Sequence, residues 1–209
     1  MNNTKQNSLF SVNNLVKIAL LSAIAAILMA YFEIPVPFFP PFLKLDISEI
    51  PALIGILAVN PLAGIIIVII KNLLKLAIKG SGTGGVGELA NAVLSIAYIL
   101  PITIVAYKKK NVKNITLGLV AGTVVLTIAA SFMNYFVLVP MYAKLFGGME
   151  AVLGASSAVC PLITSPETLI LYGIAPFNIF KGVIVTIASV VILGAMKPVI
   201  KQLKVSQNA

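Results

Sequence analysis

The chain has 209 residues, of which 59% are hydrophobic and 10% are charged, and its mean hydropathy is +1.06. Soluble globular domains carry about 25% charged residues, so this composition excludes a soluble domain and indicates an integral membrane protein. The net charge of +9 is explained by lysines that flank apolar spans, and no nucleic-acid partner is expected.

The residue types that support catalysis are scarce. The sequence contains no histidine, one cysteine (Cys160) and six scattered acidic residues. Histidine is the commonest general base and metal ligand, and no other catalytic group stands out. We therefore expect no enzyme, with no catalytic residue, no metal site and no resident cofactor. A single cysteine also rules out an internal disulfide.

The apolar runs, taken in chain order, predict an all-α integral membrane protein with a bundle of six transmembrane helices. The helices are predicted at 15–33, 48–60, 61–79, 87–107, 114–140 and 173–203. A polar segment, 1–14, precedes them, and it does not have the pattern of a cleavable signal peptide. The helices form one membrane domain, 15–203, which is followed by a tail, 204–209.

The second predicted helix is too short to cross the bilayer alone. Its residues reach about 20 Å, whereas the hydrocarbon core is about 30 Å thick. The loop before it, "EIPVPFFPPFLKLDI", contains four prolines and three phenylalanines. Irregular backbone at membrane depth must be covered by protein or face a wet cavity. We therefore expect a recessed outer pocket covered by this loop.

The charged residues sort between the two sides of the predicted bundle. One side carries Lys5, Lys17, Lys108, Lys109, Lys110, Lys113, Lys197, Lys201 and Lys204. Positive-inside bias assigns that side to the cytoplasm, so both termini are expected there. The outer side carries Glu33, Asp46, Glu49, Glu88, Glu150 and Glu167. Lysines lie among these acids, and this mixed charge predicts the functional site at the outer face.

Residues 80–87, "GSGTGGVG", contain two overlapping G-x-G-x-x-G patterns. A dinucleotide-binding loop needs a strand before it, whereas a membrane helix precedes this segment. A nucleotide site is therefore rejected. Two interpretations stay open, a flexible outer loop and a mobile lid over a ligand.

Three lysines, Lys71, Lys75 and Lys79, lie four residues apart on one face of the third helix. Lys79 is close enough to the interface to extend its ammonium group to water. Lys71 lies deeper, where an unpaired charge is costly. We expect Lys71 to face Glu49, Glu88 or a polar ligand.

Polar side chains also interrupt the fifth and sixth helices. Asn134 lies in "SFMNYFVLVP", and Asn178 and Lys181 lie three residues apart in "PFNIFKG". Asn134 could bond a neighbouring helix, and the other two could anchor their helix at the interface. All three lie at a similar predicted depth, which favours a shared pocket.

Small residues recur on the first helix at Ala19, Ala23, Ala26 and Ala30. Spacing of four between small residues lets membrane helices pack closely. Packing within the chain and docking of a partner membrane protein both fit this pattern.

Four segments together resemble the riboflavin-specific S components (RibU type) of energy-coupling factor transporters. They are "PFFPPFLKLDISEIPALIGILAVNPLAGIIIVIIKNLLK", "GTGGVGELAN", "NYFVLVPMY" and "PFNIFKG", and the resemblance extends over residues 12–203. It implies a multi-pass protein of a prokaryotic plasma membrane that binds riboflavin in an outward pocket. It also implies partners, namely a membrane T component and two cytoplasmic ATPases.

The resemblance further implies which residues bind. Riboflavin is expected to contact Asn134, Asn178, Lys181, Lys44, Leu45, Gly85, Val86 and Gly87, with Phe42 and Tyr135 covering the ring. Ala19, Ala23, Ala26 and Ala30 are expected to dock on the T component. Two alternatives stay open: an S component for another vitamin (thiamin, biotin or pyridoxine type), and a free-standing small permease.

Overall fold

The computed structural model describes residues 9–106 and 111–195. Helices α1 to α4 cover Val12–Tyr31, Glu49–Ala58, Pro61–Lys79 and Val86–Ala106. Helix α5, Val112–Met133, continues through a first π segment, Asn134–Leu138, into α6, Val139–Leu145. After α7, Met149–Ser157, helix α8, Pro166–Leu169, continues through a second π segment, Ile170–Ile174, into α9, Ala175–Ala195.

Five continuous helical segments are long and apolar enough to cross a membrane. They are Val12–Tyr31, Pro61–Lys79, Val86–Ala106, Val112–Leu145 and Pro166–Ala195. Helix α2 has 10 residues, which reach about 15 Å and fall short of a core of about 30 Å. The helical membrane bundle is thus confirmed with five such segments in the described ranges. A sixth span and the cytoplasmic location of both termini stay predictions.

Side-chain caps set where helices begin. The Asn60 side chain accepts a hydrogen bond from the Ala63 N–H at 2.9 Å, and Pro61 follows in the first turn of α3. Ser165 and Thr168 form a capping box around Pro166, which is a favourable helix start. The last helical segment therefore begins at Pro166, so the predicted start at residue 173 was wrong.

The fifth helical segment continues past Pro140, where the sequence predicted its end. A proline inside a helix lacks an N–H and crowds the carbonyl four residues earlier. The first π segment relieves this conflict, because the Val139 N–H bonds to the carbonyl of Asn134, five residues earlier. Pro140 then lies in the first turn of α6. Helix α7 lies between the fifth and sixth predicted helices, where the sequence predicted no helix.

The loop between α1 and α2 contains the one strand pair in the described residues. Strand β1, Ile34–Pro35, pairs antiparallel with β2, Lys44–Leu45. The Nζ of Lys44 lies 2.8 Å from Oε1 of Glu33, which ties the loop to the end of α1. This pair departs from the all-α prediction. It holds the intervening segment over the helices, where the Phe39 and Phe177 ring centroids are 5.3 Å apart.

Glycines let α5 approach both of its neighbours closely. A Cβ atom at Gly122 would overlap the carbonyl oxygen of Tyr98 in α4, and one at Gly182 in α9 would overlap the Thr123 side chain. Such approaches are the usual reason for small residues between membrane helices. Helices α4, α5 and α9 therefore form a closely packed unit, and their ends border the site.

Candidate functional site

A cleft lies where α4 begins, where α5 passes into α6 and where α9 begins, beneath the loop between α1 and α2. Its empty volume is about 780 Å³, open solvent at its mouth included. The cavity within it measures about 150 Å³, which is below the range of about 300–1,000 Å³ of typical small-molecule sites, so the cleft as it stands is narrower than a site closed around a vitamin-sized ligand. We call this end of the bundle the acidic end, because Asp46, Glu49 and Glu88 lie there.

The cleft brings together six of the residues that the sequence singled out. They are Phe42, Lys44, Gly87, Asn134, Asn178 and Lys181. Three helical segments and the first loop contribute them, so no local stretch of sequence forms the site. The predicted convergence of Asn134, Asn178 and Lys181 on one cavity agrees with this geometry.

Four other residues that were expected to bind are not part of the cleft lining. Tyr135 is 37% exposed on the outside of the bundle, and its hydroxyl donates to Oε1 of Glu167 at 2.9 Å. Leu45 lies half-buried in β2. Gly85 and Val86 lie half-buried where the glycine loop, residues 80–87, meets α4. The neighbour of Asn134 in sequence points to the other side of the helix, since consecutive helical residues do not share a face.

The two cleft asparagines are held by the same local bond. Asn134 Nδ2 donates to the carbonyl of Ala130, and Asn178 Nδ2 donates to the carbonyl of Ile174, each at 2.8 Å. Both side chains are buried. An amide that gives one N–H to its own helix retains a second N–H and a carbonyl oxygen for a ligand. Asn134 is the first residue of the first π segment, and Asn178 lies four residues after the second; such segments are frequent at functional sites.

Lys181 is bound into a buried network of charges. Its Nζ lies 2.9 Å from Oδ2 of Asp46 and 3.7 Å from Oε1 of Glu49. An ammonium group has three donors, so these contacts leave capacity for a ligand. The pair with Asp46 joins α9 to the loop between α1 and α2, and it thereby fixes the cleft's cover to its wall.

Asp46 lies in that loop, outside the membrane-spanning helices, and it is buried. Burial alone raises the pKa of a carboxyl, but the charges of Lys181 and Lys71 and a hydrogen bond from Ser48 outweigh it. The pKa of Asp46 therefore lies well below its ordinary value. Asp46 stays ionised, and its pair with Lys181 persists, at any physiological pH.

The expected acidic partner of Lys71 is Glu49. Lys71 Nζ lies 3.3 Å from Oε1 of Glu49 and donates to Ser48 Oγ at 2.7 Å. Both charged side chains are buried, a depth at which an unpaired charge is costly. Lys79 instead lies exposed at the end of α3, with Nζ 5.3 Å from the ring centroid of Tyr31.

The glycine loop is held in place by a set of hydrogen bonds. Glu88 accepts hydrogen bonds from Lys75 and, at 2.6 Å, from Ser81. Ser81 Oγ in turn accepts from the Gly85 N–H at 2.8 Å. Gly84 and Gly85 have positive φ angles of 62° and 89°, which glycine adopts without strain. The loop is thus positioned beside Gly87 at the cleft, and its role as a lid stays a prediction.

Several polar residues of the cleft were missed by sequence reasoning. Asn91, Ser95, Tyr98 and Tyr142 all belong to the lining, as does Glu49, which the sequence placed at the outer face and named only as a partner of Lys71. A signal for three of them existed, because Asn91, Ser95 and Tyr98 recur at helical spacing on one face of α4. Tyr142 takes the place expected for Tyr135, and its ring centroid lies 5.4 Å from that of Phe42.

The alanine stripe of α1 divides into two parts. Ala19 and Ala23 are exposed on the outside of the bundle, so they are available to a partner. Ala26 and Ala30 are 1% and 0% exposed. The burial of Ala26 and Ala30 against the chain's own helices departs from the expectation that they dock on a partner, and docking on the exposed part of the stripe stays a prediction.

Part of the predicted cytoplasmic charge lies outside the described residues. These are Lys5, Lys108, Lys109, Lys110, Lys197, Lys201 and Lys204. The tail 204–209, most of the segment 1–14 and the end of the sixth predicted helix also lie there in whole or part. The described ranges contain no cluster of three or more His, Cys, Asp or Glu residues that could hold a metal.

Comparison with known proteins places this geometry in a family. Residues 13–193 match the family described as "ECF transporter, substrate-specific component". A solved structure described as the S component of a bacterial ECF transporter superposes with a TM-score of 0.70 at 32% identity. The alignment covers 90% of this chain and 96% of that one.

Two curated relatives are similar over nearly their full lengths. Riboflavin transporter FmnP of Bacillus subtilis (strain 168) is 36% identical over 192 residues, which are 91% of this chain and 95% of the relative. Riboflavin transporter RibU of Staphylococcus aureus (strain TCH60) is 32% identical over 203 residues, which are 97% of this chain and 100% of the relative.

Proposed function

The chain belongs to the family of substrate-specific components of ECF transporters, and we propose that it binds riboflavin in the cleft at the acidic end for uptake. The observation that carries this proposal is the convergence of Asn134, Asn178 and Lys181 on one cleft. The names of the two relatives, both called riboflavin transporters, support the choice of vitamin.

The chemistry of the cleft suits this ligand. Riboflavin is neutral at physiological pH, with a flat tricyclic ring, an imide between two carbonyls and a hydroxylated side chain. Amide groups supply both donors and acceptors, and an ammonium group donates to carbonyl or hydroxyl oxygens. Aromatic side chains at Phe42, Tyr142 and Phe177 line the same cleft and cover flat rings well. The site therefore offers a complement to each part of the vitamin.

Uptake then requires partners. Following the arrangement of the family, a membrane T component and two cytoplasmic ATPases energise delivery, and the protein lies in the plasma membrane with both termini in the cytoplasm. The exposed Ala19 and Ala23 provide a smooth strip on α1 for the T component. The acidic end of the bundle faces the outside, where the vitamin is captured.

Direct binding tests the proposal. The protein purified in detergent should quench riboflavin fluorescence on titration with a stoichiometry of one to one, and preparations from riboflavin-containing medium should be yellow. Removal of bound flavin by refolding or dialysis precedes the titration, so that the sites are empty. Thiamin, biotin and pyridoxine in excess should not displace the flavin.

A folded protein that leaves riboflavin fluorescence unchanged would overturn the choice of vitamin. Circular dichroism and gel filtration on the same sample show whether the bundle is intact. Binding of one of the other three vitamins by that sample would reassign the substrate within the family.

A further inference from the structure

A groove follows the outside of the bundle where α5 and the first π segment pack against the second π segment and α9. Apolar side chains recur along each wall in steps of four residues, from Val120 to Phe136 on one wall and from Leu171 to Ile187 on the other. Residues four apart share one face of a helix. The two hollows there, of about 550 Å³ and about 480 Å³, are therefore parts of one groove, which we call the seam.

The deeper part of the seam, between residues 120–128 of α5 and 179–187 of α9, is apolar. All nine side chains that line it are β-branched, and such side chains have few rotamers. The hydroxyls of Thr123 and Thr127 donate to the carbonyls of Leu119 and Thr123, at 3.0 Å and 2.8 Å, so their protons are used within α5. The deeper part therefore offers an apolar groove of fixed shape.

The other end of the seam carries aromatic rings and a carboxylate. Phe132, Tyr135 and Phe136 line it together with Glu167. The Tyr135 hydroxyl donates to Oε1 of Glu167 at 2.9 Å, and this bond joins the two walls. The exposed carboxyl of Glu167 is ionised at neutral pH, and it can accept further hydrogen bonds. The described residues that line this end include no cation to balance its charge, so the end attracts a positive group.

The depth of the seam agrees with one leaflet of a bilayer. Both walls belong to segments that are long and apolar enough to cross a membrane. The helix rises about 16 Å between Val124 and Tyr135, which is about half of a hydrocarbon core of about 30 Å. Tyrosine is enriched at the membrane interface, so Tyr135 marks the level of the lipid headgroups. The deeper part of the seam then lies at the level of the acyl chains.

We propose that the seam binds a membrane phospholipid whose headgroup carries an ammonium group, as phosphatidylethanolamine does. The ammonium group contacts the Glu167 carboxylate and the neighbouring aromatic rings, whose faces attract cations. An acyl chain of the same molecule lies in the apolar part. The inference goes beyond the proposed function, because the seam lies on the outside of the bundle and does not depend on which vitamin the cleft binds.

The composition of the seam favours a lipid over a partner helix. Close approach of two membrane helices needs small residues such as glycine, alanine or serine, and none of the nine side chains of the apolar part is one of these. A flexible acyl chain can instead follow a groove between branched side chains. The single charge at one end also matches a molecule that is polar at one end and apolar along the rest.

Native mass spectrometry of the full chain tests the proposal. The protein is purified in micelles that contain equal amounts of phosphatidylethanolamine and phosphatidylglycerol, and the retained lipids are counted. Wild-type protein should retain phosphatidylethanolamine at least about threefold over phosphatidylglycerol, which has no cation for the carboxylate and the rings. Glu167→Gln keeps an acceptor for Tyr135 but removes the charge, and it should bring this ratio close to one. Val183→Phe fills the apolar part and should lower the retention of both lipids.

Two matched variants are the controls. Glu150→Gln removes an exposed carboxylate of α7, and Val93→Phe adds the same bulk at an exposed position of α4; both should behave as wild type. Circular dichroism and gel filtration show that each variant is folded. Equal retention of the two lipids by wild-type protein, or an unchanged ratio in folded Glu167→Gln, would overturn the proposal.

A photo-reactive residue in place of Ile128 identifies the occupant of the seam in cells. It should label lipid. Labelling of one defined protein instead would assign the seam to a partner helix and would also overturn the proposal. Neither result bears on riboflavin binding in the cleft, which the fluorescence titration tests separately.

Discussion

The buried side chains of Asn72, Asn134 and Asn178 make the same local hydrogen bond, yet of these Asn134 and Asn178 border the cleft and Asn72 does not. Asn72 Nδ2 donates to the carbonyl of Val68 at 2.8 Å, as Asn134 and Asn178 do four residues back on their own helices. The local bond therefore stabilises the side chain without specifying a role. What distinguishes Asn134 and Asn178 is the empty space in front of their remaining polar atoms.

This contrast gives a matched mutational test of the site. Asn134→Ala, Asn178→Ala and Lys181→Ala should each weaken riboflavin binding more than about tenfold, because each removes a ligand contact in a site shielded from water. Asn72→Ala removes the same kind of buried amide away from the cleft and should retain the affinity. Fluorescence titration of the four variants measures the effect, and equal affinities throughout would show that the ligand binds elsewhere.

The ion pair between Asp46 and Lys181 has a predictable pH dependence. The pKa of Asp46 is lowered in the folded protein from an ordinary value of 3.8. The stabilising contribution of the pair is therefore complete above that value and is lost as the pH falls through the folded pKa. This pair should make no change to the melting temperature between about pH 5 and pH 8.

Asp46→Asn tests this account. The variant leaves Lys181 with Glu49 alone, and we expect it to lower the free energy of unfolding by about 1–3 kcal/mol at neutral pH. Thermal melting in detergent, measured for both proteins from neutral to acidic pH, should show the difference between them shrink below about pH 4. A difference that grows on acidification would contradict the assignment.

At the scale of elements, the irregular ends of the helices form the site more than their regular middles do. The first π segment begins at Asn134 and accommodates Pro140. The second follows the Ser165–Thr168 cap and ends four residues before Asn178. Close packing of α4, α5 and α9 supplies the rigid frame beneath. The closely packed middles of the helices therefore stabilise the bundle, and their ends provide the residues of the site.

Gly122→Ala tests the close packing of α5 on α4. The added Cβ would overlap the carbonyl oxygen of Tyr98, and overpacking of this kind costs about 1–3 kcal/mol. Gly154→Ala is the matched control, since no atom lies within 4 Å of its added Cβ in α7. That change should leave the melting temperature equal or raise it, because alanine favours a helix by about 1 kcal/mol over glycine. Equal melting temperatures for both variants would contradict the packing argument.

At the scale of the whole molecule, the exposed surface of α1 is separate from the cleft. Ala19 and Ala23 face away from the bundle, whereas the cleft lies at the acidic end between α4, the α5–α6 segment and α9. The cleft and the proposed docking strip can therefore be changed independently. This separation is what a subunit needs if it captures its ligand before it is energised by another protein.

Ala19→Leu and Ala23→Leu should abolish riboflavin uptake by cells and leave the affinity of the purified protein unchanged. The larger side chains would hold a partner helix away from a surface suited to close approach. Val124→Leu, on the exposed face of α5, is the control and should support normal uptake. Normal uptake by both alanine variants would exclude this strip of α1 as the docking surface.

The chain's helical membrane nature followed from the order of residues, although the sequence predicted six spans and five long ones lie in the described ranges. The cleft at the acidic end agrees with the predicted position of the site, and its three principal polar residues stay predictions. The length of an apolar run and the depth of a residue along a helix depend only on position in the sequence, so both can be predicted by counting residues. Four features could not be predicted from the sequence in this way. They are the π segments, the choice of Glu49 as the partner of Lys71, the burial of Ala26 and Ala30, and the presence of Tyr142 rather than Tyr135 in the cleft. Each depends on how one helix is rotated against the next, and packing of the whole bundle alone decides that rotation.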